Sequence, residues 1–210
     1  FKKIDFSKVK ANVAGAMALQ RAVCDRWRDL TGTVLVEGYG LTEASPAVCV
    51  NPIDGGEKIG TIGMPLPSTE IKMINDDGQE VKMGEPGELC VRGPQVMKCY
   101  WNRQDETDKV LSQDGWLKTG DIAQIENNGF VKIVDRKKDM ILVSVFNVFP
   151  NEVEDAIATH PKVLEVAAIG IPNEHSGEVV KVFIVKRDPT LTEKEVIEYA
   201  KKSLTNYKVP

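Results

Sequence analysis

Histidine and cysteine are scarce in this chain, which has two histidines and four cysteines among 210 residues. The cysteines, at Cys24, Cys49, Cys90 and Cys99, show none of the short paired spacings of zinc or redox sites. Only two histidines are available to complete a metal site. The pattern therefore disfavours a zinc centre or a disulfide framework, and it indicates reduced thiols in a cytoplasmic protein.

Long apolar runs and long blocks of like charge are absent as well. The stretch "ANVAGAMAL" at residues 11–19 is interrupted by Asn12, and nothing elsewhere approaches the roughly 20 residues of a membrane-spanning helix. The 27 Lys and Arg are spread among 31 Asp and Glu, so the sequence shows no basic cluster of the kind that binds nucleic acid or anionic lipid. We expect a small-molecule substrate, and any membrane contact would be peripheral, at the inner face.

The first 134 residues show two different patterns of apolar residues. Apolar residues at steps of three and four predict an amphipathic helix from Met17 to Leu30, with Gly32 at its end, followed by a short strand "TVLV" that stops at the glycines of residues 37–40. From 58 to 134, short apolar runs such as "IKMI" and "ELCV" alternate with turn residues. This part predicts a small antiparallel sheet or barrel, with one helical insert at residues 103–112.

A charged break, "DRKKD" at residues 135–139, separates these elements from a different pattern. Pro150 and Asn151 open a predicted helix through about Thr159, and "VLEVAAIGI" and "VVKVFIVK" read as strands. Thr192 and Glu195 form a capping box for a last helix. Residues 140–210 therefore predict a small α+β unit behind a candidate linker.

The stretch "EGYGLTEASP" at residues 37–46 carries the first candidate site. Its glycines permit close backbone approaches, Tyr39 offers a flat face for stacking, and Thr42 and Glu43 offer a hydroxyl and a carboxylate. Together these groups suit a nucleotide with a magnesium ion, since magnesium prefers oxygen ligands. By itself, however, the stretch fits an ordinary Gly-rich connection between a strand and a loop better.

Two further segments carry candidate ligands. In "GWLKTGD", residues 115–121, we place Asp121 in a turn before the next strand, where its two oxygens can accept both hydroxyls of a ribose. A plain turn aspartate is the commoner alternative. In "VDRKKDMILVSVFNVFPNEVED", residues 134–155, Arg136 can reach a ribose or phosphate and Lys138 can act as a pivot. In isolation, a solvated charged linker explains that segment better.

Taken in order, and with "GELCVRGPQVMKCYW" at residues 87–101, these motifs resemble the adenylate-forming superfamily of acyl-CoA synthetases, most closely bacterial long-chain fatty acid CoA ligases. The resemblance covers essentially the whole chain. It implies the end of a large α/β AMP-binding domain (1–57) with a β-barrel subdomain (58–134), a hinge (135–139) and an incomplete α+β C-terminal lid domain (140–210).

The resemblance also implies a two-step reaction. A fatty acid carboxylate attacks the α-phosphate of ATP to give an acyl-adenylate and pyrophosphate, and coenzyme A thiolate then displaces AMP. Activation is needed because a bare carboxylate has no adequate leaving group. In this family the small domain rotates between the two half-reactions and completes a different site each time.

Residue roles follow from the resemblance position by position. Tyr39, between Gly38 and Gly40, matches the aromatic residue that stacks on adenine. Thr42 matches the hydroxyl near the α-phosphate, and Glu43 matches the magnesium ligand. Both are expected to act in catalysis.

The remaining matches lie elsewhere in the chain. Asp121 matches the acid that holds the ribose hydroxyls, Arg136 matches an arginine that also contacts the ribose, and Lys138 falls at the hinge and is expected to act in catalysis. Residues 14–19 resemble a glycine-rich segment beside the adenine and acyl pocket, although alanines stand where the family often has glycine.

Two absences and one substitution depart from the family pattern. The phosphate loop and the C-terminal lysine that orients adenylation are not found in these residues. We therefore expect a fragment that does not form adenylate alone. Val145 stands where the family usually has glycine, in the segment that lines the pantetheine tunnel for coenzyme A, and a branched side chain would occupy that space.

Two other functions stay open at this point. One is a ligase that loads an acyl adenylate onto a carrier protein, to which Val145 gives some weight. The other, from a different class, is a non-catalytic nucleotide-binding or interaction module that keeps half of the site. The sequence sets neither the acyl chain length nor the oligomeric state.

Overall fold

A computed structural model describes residues 4–16, 19 and 21–210. The chain divides into two compact units, Phe1–Ile133 and Val134–Pro210. The division lies between Ile133 and Val134, just before the charged residues 135–139.

The first sheet of the first unit has the order β1-β2-β3-β4. Its strands are β1 (Asn12–Ala14), β2 (Leu35–Gly40), β3 (Ala47–Val50) and β4 (Met64–Pro65). β1 runs parallel to β2, whereas β3 is antiparallel to both of its neighbours. The central position of β2 in this order brings the segment that ends in "EGYG" between two other strands.

Helix α1 (Arg21–Thr31) connects β1 to β2. The predicted start at Met17 lies outside the described residues, as do Ala18 and Gln20, and Leu19 is not helical. The predicted end is confirmed, because the Gly32 N–H donates to the Arg28 carbonyl at 2.8 Å.

The second sheet of this unit has the order β5-β6-β7-β8 and is antiparallel from β5 to β7. Its strands are β5 (Glu70–Ile74), β6 (Gly87–Arg92), β7 (Leu117–Ile125) and β8 (Val131–Arg136), the last three residues of β8 being already part of the second unit. Helix α2 (Gln104–Val110) lies between β6 and β7, so the predicted antiparallel sheet and its helical insert are confirmed.

One buried cluster joins the two sheets of the first unit. It takes residues from β3 and the turn before it, from the loop before β4 and from all four strands of the second sheet, and comprises Ala44, Val48, Cys49, Ile62, Met73, Leu89, Val91, Ala123 and Val131. Burying such side chains contributes about 1.5–3 kcal/mol for each Val, Leu, Ile or Met. The cluster therefore holds the ends of β2 and β7 in a fixed relation, with Tyr39 packed against it.

The second unit is the predicted α+β arrangement. Its sheet has the order β10-β9-β12-β11, built from β9 (Ile141–Val143), β10 (Phe146–Val148), β11 (Val163–Asn173) and β12 (Gly177–Lys186). Helices α3 (Pro150–Ala158) and α4 (Glu193–Ala200) supply buried residues to the same core. The capping box is formed, because the Thr192 hydroxyl oxygen accepts the Glu195 N–H at 3.2 Å.

Candidate functional site

The stretch "EGYG" belongs to a strand, which corrects the prediction that the strand stops at its glycines. β2 continues to Gly40 because β1 pairs with it on one side, as far as Glu37, and β3 on the other. Gly38 pairs with Val50 and Tyr39 with Cys49, and the register then shifts before Gly40. Tyr39 is therefore fixed at the end of a paired strand.

A tight reversal follows directly after Gly40. The Leu41 N–H donates to the Pro46 carbonyl at 2.8 Å, and residues 42–44 form a single 3₁₀ turn that Ser45 ends with a φ of 56°. A Cβ at Gly40 would lie 2.1 Å from the Pro46 oxygen, which only glycine avoids. The reversal presents Thr42 exposed and Glu43 half-buried at the end of the sheet.

Asp121 lies within β7, so its predicted place in a turn is wrong. In the pairing of β6 with β7, Cys90 faces Lys118 and Glu88 faces Ile122. Three residues of β7 therefore lie opposite a single residue of β6. This is a β-bulge, which interrupts the ladder and redirects a side chain without ending the strand.

The sequence "TGD" builds this bulge. The Thr119 hydroxyl donates to the Leu89 carbonyl at 2.9 Å and accepts the Asp121 N–H at 3.1 Å, which replaces the missing ladder bonds. Gly120 has a φ of 76°, in the left-handed region that favours glycine. Asp121 is thereby held in a bulge whose backbone is fixed on both sides.

The structure brings Tyr39 and Asp121 together although they are far apart in sequence. The Tyr39 hydroxyl donates to Asp121 Oδ2 at 2.5 Å and so links the first sheet to the second. Burial, and then the adjacent Asp121 carboxylate, raise the pKa of Tyr39 well above its ordinary value. The phenol therefore stays protonated at neutral pH and acts as the donor.

Glu43 has a tyrosine partner that the sequence reasoning missed. The Tyr100 hydroxyl donates to Glu43 Oε1 at 2.7 Å, and this bond raises the pKa of Tyr100 to about 12. The Met97 N–H also donates to the Glu43 carbonyl at 2.7 Å. Tyr100 stands in the motif "GPQVMKCYW", so the available signal in the sequence was an aromatic residue in a segment that opens with the turn residues Gly93 and Pro94.

The donor set around Glu43 fits magnesium bound together with a nucleotide. Magnesium usually keeps several waters and takes one or two carboxylates plus substrate phosphates, rather than a cage of protein ligands. Within the described ranges, no group of three or more His, Cys, Asp or Glu is arranged to hold a metal ion. A half-buried single carboxylate beside an exposed Thr42 suits the first arrangement.

The other predicted residues lie in the second unit. Arg136 is the exposed last residue of β8, and Lys138 is exposed in the 3₁₀ turn Lys137–Asp139. Val143 pairs with Phe146, which leaves a two-residue loop with Val145 83% exposed. None of these side chains is buried in the unit, so all three are available to a ligand or to another part of a longer protein.

A buried carboxylate beside Arg136 was not predicted. Asp135 accepts the Arg136 N–H at 2.8 Å and the Asn151 N–H at 2.9 Å, and the Asn151 side chain donates in return to the Val134 carbonyl at 3.2 Å. Burial raises the pKa of Asp135. This reciprocal pair attaches the end of β8 to the first turn of α3 and so fixes the backbone from which Arg136 extends.

Sequence comparison places this chain within a known family. The model for "AMP-binding enzyme" matches residues 1–101, and the model for "AMP-binding enzyme C-terminal domain" matches residues 152–210. The chain belongs to the AMP-binding enzyme family.

Among named relatives, the chain is 56% identical over all 210 residues to a long-chain-fatty-acid–CoA ligase of Escherichia coli O157:H7. It is 57% identical over the same length to that of Yersinia pestis and 43% identical over 208 residues to that of Bacillus subtilis. In each case the chain spans 37% of the relative's length.

Solved structures share the fold. ATP-bound MatB from Rhodopseudomonas palustris superposes with a TM-score of 0.88 at 33% identity, over 95% of this chain and 40% of that one. The o-succinylbenzoate coenzyme A synthetase MenE from Bacillus subtilis, in complex with AMP, gives a TM-score of 0.82 at 33% identity, over 94% of this chain and 40% of that one. No helix in the part of the chain described here is long and apolar enough to span a membrane.

Proposed function

We propose that this chain is the distal part of a long-chain fatty acyl-CoA synthetase, which activates a fatty acid with ATP and transfers the acyl group to coenzyme A. The identity of 51–57% to six ligases of that name over the whole chain is the main support. The contact between Tyr39 and Asp121 is the structural observation that carries the proposal, because it joins two separately predicted nucleotide ligands.

The proposed nucleotide site has a role for each group. The Tyr39 ring stacks on adenine, and the Asp121 carboxylate accepts ribose hydroxyls. Thr42 donates to an oxygen of the α-phosphate, and Glu43 would hold magnesium, which supplies positive charge to the phosphates. Arg136 is proposed as a further ribose ligand, as the resemblance to the family implies.

The chemistry of the two steps sets what these residues must do. The fatty acid carboxylate forms a bond to the α-phosphorus as pyrophosphate leaves, and the thiolate of coenzyme A then forms a thioester as AMP leaves. The first step requires the α-phosphorus to lie in line with the attacking oxygen. Ligands fixed on rigid strands provide this orientation. The small domain is proposed to rotate between the two half-reactions about a hinge at residues 135–139, with Lys138 as its pivot.

The proposal is tested by ATP–pyrophosphate exchange. A protein extended to the full length of the relatives is expected to exchange label in the presence of long-chain fatty acids, whereas the 210-residue chain alone is expected to show none. Exchange by the short chain would contradict the assignment of essential groups to segments outside it. A full-length protein that exchanges with no fatty acid tried would contradict the proposed substrate class.

Val145 is expected to slow thioester formation more than adenylation. Its exposed branched side chain stands in the loop proposed to line the pantetheine path, where overpacking typically costs about 1–3 kcal/mol. In the full-length protein, Val145→Gly should raise the single-turnover rate of thiolation by about tenfold and leave the adenylation rate unchanged. Equal thiolation rates for the two proteins would refute this role. Thiolation of a carrier protein in preference to coenzyme A would favour the carrier-loading alternative.

A further inference from the structure

The hydrogen bond between Tyr39 and Asp121 makes a connection that stacking on adenine does not need. A stacking residue requires only a flat ring, and phenylalanine would supply one. Here the ring carries a hydroxyl that reaches a carboxylate on another sheet at 2.5 Å, across a separation of 82 residues. Stacking therefore does not explain the hydroxyl, which has a role separate from that of the ring.

The two ends of the contact are held to different degrees. The Tyr39 backbone is paired with Cys49 in β3, and its ring packs against the buried cluster of the first unit. The Asp121 backbone is fixed by Thr119 within the bulge, but its carboxylate can still turn about two side-chain bonds. The Tyr39 hydroxyl, bonded to Oδ2, selects one of those orientations.

Oriented in this way, the carboxylate keeps acceptor capacity for a ligand. An ionised carboxylate can accept about four hydrogen bonds on its two oxygens. One is taken by Tyr39 at Oδ2, which leaves Oδ1 and the second lone pair of Oδ2 for a vicinal diol. The donor is a protonated phenol throughout the neutral range, so this orientation does not change with pH near neutrality.

We infer that Tyr39 is a positioning residue for ribose recognition, in that its hydroxyl orients Asp121 so that the site distinguishes a ribonucleotide from its deoxy analogues. This inference rests on the proposed function of Asp121 as the ribose ligand. It assigns two separable roles to one side chain: the ring binds the base, and the hydroxyl sets selectivity for the sugar. A purely structural link between the two sheets would affect stability and leave sugar selectivity unchanged.

The test measures binding of AMP, 2′-deoxy-AMP and 3′-deoxy-AMP to the full-length protein by calorimetry. Tyr39→Phe keeps the ring and removes the hydroxyl, so AMP affinity should fall by about tenfold while affinity for the deoxy analogues stays within twofold. Asp121→Ala removes both acceptor oxygens and should lose the preference for AMP completely. In the double variant, Tyr39→Phe should cause no further loss.

Tyr199→Phe is the matched control, because it removes a phenol that contacts the Thr159 hydroxyl at 3.1 Å in the second unit. Its selectivity should equal that of the unmodified protein. A crystal structure of Tyr39→Phe provides a readout that is independent of affinity, and it should show the Asp121 carboxylate rotated away from its present position.

The outcomes separate this inference from the proposed function. If Asp121→Ala abolishes sugar selectivity and Tyr39→Phe preserves it, the inference is overturned and the ribose site stands. If Asp121→Ala leaves selectivity intact, the assignment of Asp121 itself is wrong, and the inference falls with it. A lower melting temperature for Tyr39→Phe with unchanged selectivity would identify the contact as a structural link only.

Discussion

Replacing Gly40 with alanine is expected to destabilise the first unit by about 3 kcal/mol or more, at the upper end of the usual cost of overpacking. The new Cβ would lie 2.1 Å from the Pro46 oxygen, 2.7 Å from its carbonyl carbon and 3.0 Å from Ala47 Cα. All three atoms belong to backbone, and the Leu41 N–H is bonded to that same carbonyl. No side chain can rotate to relieve the clash.

Urea unfolding of the 210-residue chain measures this effect directly. Gly56→Ala serves as the control, because a Cβ there would lie no closer than 3.5 Å to its neighbours. Exposed substitutions of this kind usually change stability by less than about 0.5 kcal/mol. Equal unfolding midpoints for the two variants would show that the reversal after β2 adapts easily, and it would remove the steric reason for glycine at this position.

Glu43→Gln in the full-length protein is expected to lower the adenylation rate by about 100-fold, a loss typical of removing one preorganised group that stabilises charge in the transition state. The amide is nearly isosteric and keeps an oxygen that can accept from Tyr100. The substitution therefore removes the negative charge of the side chain but largely keeps its shape and its contact with Tyr100. A weaker ligand should also raise the magnesium concentration that gives half of the maximal rate.

Calorimetric titration of magnesium in the presence of a non-hydrolysable ATP analogue gives a readout that does not depend on turnover. Affinity for magnesium should fall in Glu43→Gln and stay unchanged in Glu80→Gln, which alters an exposed carboxylate of the same unit. If both variants bind magnesium as the unmodified protein does, Glu43 is not a magnesium ligand, and its contact with Tyr100 has another purpose.

Periodicity predicted most of the elements but not the strands that carry the site. Apolar spacing indicated α1 and the antiparallel sheet because those residues face a core. Gly38, Gly40 and Gly120 read as breaks, since glycine is depleted in strands and common in turns. They stand inside β2 and β7 because close packing of neighbouring backbone and a bulge require them there.

The pairing of site residues had no local signal at all. Tyr39 and Asp121 are separated by 82 residues, and Glu43 and Tyr100 by 57. Such contacts depend on how two sheets share one buried cluster, which no spacing rule contains. The resemblance to a family supplied the residue types of the site, and only the fold supplied the two bonds between phenol and carboxylate.

The bulge in β7 also has a consequence for how the sheet tolerates change. It adds two residues to β7 relative to β6, an even number, so inward and outward positions keep the same parity on both sides of it. Leu117 before the bulge and Ala123 after it are both buried. The bulge therefore introduces its two extra residues without changing which face of β7 points to the core.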